Sequence, residues 1–119
     1  MTHDDDADVA QRMADKLFRL RVFDDDRGVM NLAVADAGAE LLVISQFTVY
    51  GDTSGGRRPS WIAAARPEHA EPLVDAVVTE LRRLDATVAT GRFRTEMQVT
   101  LTNDGPVTVI VEIGARPSR

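Results

Sequence analysis

Residues Leu41-Leu42-Val43-Ile44-Ser45-Gln46-Phe47-Thr48-Val49-Tyr50-Gly51-Asp52-Thr53 decide how the rest of the chain is read. Leu41 to Ile44 is an unbroken aliphatic run, the pattern of a strand covered on both faces, and it is read as a central strand. At Ser45 the composition turns to Ser, Gln and Thr around one Phe, so the strand carries hydroxyls and an amide to the edge of the interior. Buried polar groups need partners, since an unpaired one costs roughly 1 to 3 kcal/mol. Two readings follow: Ser45 and Thr48 bond to neighbouring backbone as the strand ends, or the strand end faces a ligand. On composition alone the first is the plainer.

On either side of that strand the chain alternates helices with strand pairs. Val9, Met13, Leu17 and Leu20 recur at spacings of four and three behind Asp4-Asp5-Asp6, which predicts an amphipathic helix with an acidic cap. Arg21 to Phe23 and Val29 to Val34 flank Asp24-Asp25-Asp26-Arg27-Gly28 as a hairpin. Pro67 to Leu84 carries Leu73, Val74, Val77, Val78, Leu81 and Leu84 on one broad face and is the second helix, with two prolines near its start. Thr87 to Thr90, Met97 to Thr102 and Val107 to Ile113 read as strands, the last two joined at Asn103-Asp104-Gly105-Pro106 as a hairpin. This order predicts a mixed α+β single domain: one mixed sheet system with two helices packed on it.

Composition narrows the function. The 119 residues suit one domain, and 44% apolar with 28% charged residues is ordinary globular usage. There is no cysteine, so disulfides, thiolate metal sites and a thiol nucleophile are excluded. A net charge of -5 opposes non-specific duplex binding, although arginines cluster at Arg57-Arg58, Arg82-Arg83 and Arg92 with Arg94. The loop Asp52 to Trp61 is rich in Gly and small polar residues but lacks the P-loop order. Trp61 reads as a core or interface anchor, with base stacking as the alternative. His3 and His69 have no nucleophile or acid at a helpful spacing, and no Gly-x-Ser-x-Gly or His-Glu-x-x-His occurs, which disfavours serine and metal hydrolases. No metal or cofactor is expected. The acidic start is unlike a secretory leader, and a cytoplasmic protein is the default.

Ser45-Gln46-Phe47-Thr48 and Asn103-Asp104-Gly105-Pro106-Val107-Thr108, joined by Thr90-Gly91-Arg92-Phe93 and Met97-Gln98-Val99, resemble the D-aminoacyl-tRNA deacylase family. Gly55-Gly56-Arg57-Arg58-Pro59-Ser60 lies between them, and the match runs from the first helix to Ile113. The resemblance implies that family's fold, with a barrel-like core and two packed helices, and a homodimer that hydrolyses D-aminoacyl-tRNA, or glycyl-tRNA mischarged on tRNA-Ala. It implies that Ser45, Gln46, Phe47 and Thr48 line the pocket for the adenosine and the ester. Gly105-Pro106, with Met97, would form a cis-peptide gate reaching the partner subunit's pocket and excluding the L enantiomer. Arg57 and Arg58 are the tRNA contact candidates. Thr48 as nucleophile has no evident base, so the favoured chemistry is water attack assisted by the ribose 2′-hydroxyl, with Thr48 and Gln46 positioning.

The family opens with a β-hairpin region, including a Gln-Arg pair that braces the gate, before its first helix. Here Met1-Thr2-His3-Asp4-Asp5 stands close to that helix. The expectation is therefore an N-terminally truncated domain over residues 1–114, from a start misplaced at an internal GTG codon, followed by a frayed tail at 115–119. The alternative function is a catalytically impaired module of the same fold that binds a tRNA end or a protein.

Overall fold

The computed structural model describes residues 1–116. Helix α1 (Ala7–Arg19) begins where Asp6 turns extended backbone into helix and its carboxylate accepts the Val9 amide at 3.0 Å. Asp8–Arg12 and Asp15–Arg19 pairs lie along its solvent side, at 2.8 and 2.7 Å. Its inner side is built of Val9, Ala10 and Ala14, all buried. Small residues there let a second helix approach closely.

That partner is α2 (Pro67–Arg83), which begins with a proline where a missing amide costs nothing. Pro72 lies within it. The helix ends in a double backbone bond: Ala86 N donates to Leu81 O at 3.0 Å and Asp85 N to Arg82 O at 3.0 Å. Asp85 takes φ +70° to make this turn, a left-handed stop usually given to glycine. Ala10, Ala14, Leu73, Val77 and Leu81 form the core between the helices, with Leu41, Val43 and Val88 packed against it.

Strands β1 (Phe23–Asp24) and β2 (Met30–Leu32) form the antiparallel hairpin expected from the Asp-rich turn, where the Asp25 carboxylate accepts the amides of Arg27 and Val29. Strands β3 (Leu41–Val43) and β4 (Val88–Thr90) pair in parallel, Leu41 opposite Val88 and Val43 opposite Thr90, with α2 in the connection. The architecture is thus mixed α/β: two helices and two small sheets.

Three sequence expectations are corrected. β3 is not covered on both faces: Leu41 and Val43 turn to the helices, but Leu42 is 59% exposed, because one strand and one helical layer cover only one side. Met97 to Thr102 and Val107 to Ile113 form no strands among the described residues, because neither finds a hydrogen-bonded neighbour within the chain. Among the described residues, the turn between them is held only by Asn103 Nδ2 donating to Thr108 Oγ1 at 3.3 Å. The Gly105–Pro106 peptide is trans, not cis; no cis peptide occurs among the described residues. Gly105 reverses the chain through φ +130°, open to a residue without a side chain, so the bend needs no isomerised proline. Of the expected tail, Ala115 and Arg116 carry no regular structure, and 117–119 lie outside the described residues.

Candidate active site

Where β3 ends, the backbone leaves the sheet at Ile44 and coils into a single 3₁₀ turn, Phe47–Tyr50. Gly51 closes the turn, its amide donating to Thr48 O at 2.9 Å. A side chain at Gly51 would lie 3.0 Å from that carbonyl and 3.1 Å from the Trp61 indole nitrogen, so glycine lets Trp61 fold back over the turn. Trp61 then meets Phe47 edge to face, with ring centroids 5.8 Å apart. The antiparallel bridge between Asp52 and Ser60 fastens the base of the loop that carries Arg57 and Arg58.

The strand end opens on a cavity of about 690 Å³, the size of sites for small organic ligands. Val43, Ile44, Ser45, Gln46 and Phe47 form one wall. Leu17 of α1 and Val74 and Val77 of α2 form an apolar floor. The far wall is Phe93, Arg94, Thr95 and Met97. Met97 approaches because position 91 is glycine: a Cβ there would lie 2.7 Å from the Met97 sulfur. Met1 and the Ala64–Ala65 segment complete the enclosure, tied together by Ala65 N donating to Met1 O at 3.0 Å.

Of the expected site residues, Ser45, Gln46, Phe47 and Met97 share this cavity. Thr48 is exposed beside it, its hydroxyl accepting the Gln46 side-chain amide at 2.5 Å. Gly105 and Pro106 are exposed and take no part in the lining of their own chain's cavity. Arg57 and Arg58 are exposed on their loop and also lie outside the lining. The amides of Phe47 and Thr48 donate to no acceptor among the described residues.

Neither histidine reaches the cavity lining. His69 Nε2 is 2.8 Å from the carbonyl of Asp5, and His3 Nε2 is 2.7 Å from that of Ile62. Both ring contacts tie the N-terminal segment to the α2 side of the molecule. Asp5, the buried charged residue of the core, accepts the Thr2 amide at 2.7 Å. Tyr50 stands near this group, its hydroxyl pKa raised first by burial and then by the carboxylates of Asp5 and Glu112. No histidine, lysine or carboxylate lines the cavity, and no group of three or more metal-ligating side chains occurs among the described residues.

Sequence reasoning missed Arg94 and Thr95 on the far wall. The signal was only the Arg-rich run from Arg92, and nothing in it foretold the left-handed backbone at Arg94, φ +62°.

Residues 1–112 match the family model described as D-Tyr-tRNA(Tyr) deacylase. A curated D-aminoacyl-tRNA deacylase of Nocardia farcinica is 58% identical over 112 residues, covering 94% of this chain and 75% of the relative. One from Streptomyces coelicolor is 55% identical over 113 residues, covering 95% and 77%. A solved structure titled c-Myc DNA Unwinding Element Binding Protein superposes with a TM-score of 0.88 at 32% identity, covering 97% of this chain and 78% of that one. With the family model spanning all but the C-terminal end, the chain belongs to the D-Tyr-tRNA(Tyr) deacylase family.

Proposed function

We propose that the chain hydrolyses the ester joining a D-amino acid to the terminal adenosine of tRNA, releasing the free D-amino acid and tRNA. The observation that carries this reading is the cavity itself: a strand end bearing Ser45, Gln46 and Phe47 faces Met97 across a space whose lining side chains include no histidine, lysine or carboxylate. An aminoacyl ester is already activated, so its hydrolysis asks mainly for positioning and for donors at the developing oxyanion. The unengaged amides of Phe47 and Thr48 supply such donors.

Thr48 positions rather than attacks. Its oxygen accepts from an amide, and no basic group is bonded to its proton. The water oxygen forms the new bond to the ester carbonyl carbon, its proton passes by way of the substrate's ribose 2′-hydroxyl to the 3′ oxygen, and collapse breaks the carbonyl carbon's bond to that oxygen, which leaves as the ribose hydroxyl. Glycyl-tRNA passes the same test as D-aminoacyl-tRNA, because a site that works by excluding an L side chain has nothing in glycine to exclude.

The working unit is a homodimer in the cytoplasm. Met97, Val99 and Leu101 alternate with Gln98, Thr100 and Thr102, and Val107 and Val109 flank Thr108, a period-two pattern that asks for a covering surface. Val99, Leu101, Val107 and Val109 are instead exposed in the single chain. A second copy laid against them would also bring Gly105 and Pro106 toward the neighbouring cavity.

The distinguishing experiment offers purified protein D-tyrosyl-tRNA and L-tyrosyl-tRNA in parallel. Release from the D ester alone is the expected result. Binding of both without release favours a tRNA-end-binding module.

A further inference from the structure

Arg94 is unlike every other residue around the cavity. It carries the only charged side chain in the lining, it is exposed, and it makes no hydrogen bond or ion pair among the described residues. Its backbone sits at φ +62°, in the left-handed region that costs an L residue roughly 1 kcal/mol or more. The turn that imposes this conformation is held by its neighbours: Thr95 Oγ1 donates to Arg92 O at 2.9 Å. The arginine side chain adds nothing visible to the turn, which glycine would make more easily. A strained, unpaired cation at the mouth of a cavity otherwise lined by apolar and neutral polar side chains is arranged for an anion.

We propose that Arg94 binds the phosphodiester on the 5′ side of the terminal adenosine and so anchors the aminoacyl end of the tRNA in the cavity. This rests on the reading of the chain as a D-aminoacyl-tRNA hydrolase. Every substrate of that reaction carries this phosphate one ribose away from the ester, whatever its amino acid. A cation directed at the amino-acid side chain would instead bias the site toward acidic residues. Guanidinium suits phosphate because its planar donors engage two oxygens at once. Ser45 and Gln46 across the opening leave the ester end to neutral groups, so the charge is kept for the backbone of the nucleic acid.

The test compares wild type, Arg94→Ala, Arg94→Gly and Arg94→Lys on two substrates: D-tyrosyl-tRNA, and D-tyrosyl-adenosine, which has the ester but no phosphodiester. Arg94→Ala and Arg94→Gly are expected to lower kcat/KM on the tRNA by about tenfold or more, the scale of one charge-assisted contact. The loss should lie in KM, with the adenosyl ester much less affected. The slope of log KM against log salt should become shallower by about 0.7, one phosphate on a single strand, and Arg94→Lys should restore part of it. Arg94→Gly should melt no lower than wild type, which separates lost binding from lost folding. Equal losses on the two substrates overturn the proposal. Wild-type protein inert on both substrates would remove the hydrolase reading itself, and this assignment with it.

Discussion

At the scale of single residues, the Gln46–Thr48 bond decides the chemistry. A nucleophilic threonine needs a base to take its proton, whereas here the side-chain partner of the Thr48 hydroxyl among the described residues is the Gln46 amide, which takes none. Thr48→Ala should therefore slow single-turnover hydrolysis only modestly, by about tenfold at most, the cost of one lost neutral hydrogen bond. Complete loss with tRNA binding intact would make Thr48 the nucleophile. The capping role of the acidic start was legible because a cap is a local matter: Asp6 needs only the helix that follows it. The burial of Asp5 was not legible, since it depends on Thr2 and on the segment around Ala64 folding back across the α2 side.

A second residue-scale prediction concerns Asp52, at the base of the arginine loop. Its carboxylate pKa is lowered from the ordinary 3.8, first by the Ser54 hydroxyl and then by the Ser54 amide, which donate at 2.6 and 2.9 Å. A depressed folded pKa means that this carboxylate steadies the loop above pH 3.8 and that its contribution fades as pH falls through the lower folded value. Carbon NMR of the Asp52 carboxyl should show a midpoint below 3.8 that rises in Ser54→Ala. An unchanged midpoint in the variant would contradict the assignment of cause.

Among elements, the two helices were legible because their apolar positions recur at helical spacing, and the core between them is what that spacing buries. Leu81 sits at its centre, fully buried. Leu81→Ala should cost about 3 kcal/mol and lower Tm by roughly 10 °C, because facing Ala10 and Ala14 offer no bulk to fill the void. Thermal denaturation followed by circular dichroism measures it. The strands were harder to read. An aliphatic run such as Leu41 to Ile44 does not say how many layers will cover it, and here one side of β3 remains open at Leu42. Residues 97 to 113 have the composition of strands, but a ladder also needs an adjacent strand, which is a property of the neighbour.

Taken whole, the molecule leaves an apolar surface that the proposed dimer would cover. Ile110 is 88% exposed and Leu101 70%, far more than a lone stable surface needs to show for side chains of this size. Sedimentation equilibrium should find a dimer, and Leu101→Asp should shift it to monomer by placing a charge in the covered face. A monomeric wild type would contradict the account. The resemblance in Ser45-Gln46-Phe47-Thr48 and Asn103-Asp104-Gly105-Pro106 identified the family correctly. The cis isomer of the 105–106 peptide was implied by the family's assembly and is not met in this chain, while the strands around it were read from an apolar pattern that does not itself supply a partner strand.

The most direct measurement is a crystal structure of the protein with a non-hydrolysable substrate analogue, D-tyrosyl-adenosine with an amide in place of the ester. The account predicts density in the cavity between Ser45–Phe47 and Met97, with the amide carbonyl oxygen facing the backbone amides of Phe47 and Thr48. An analogue bound elsewhere, or a cavity left empty at saturating analogue, would contradict it.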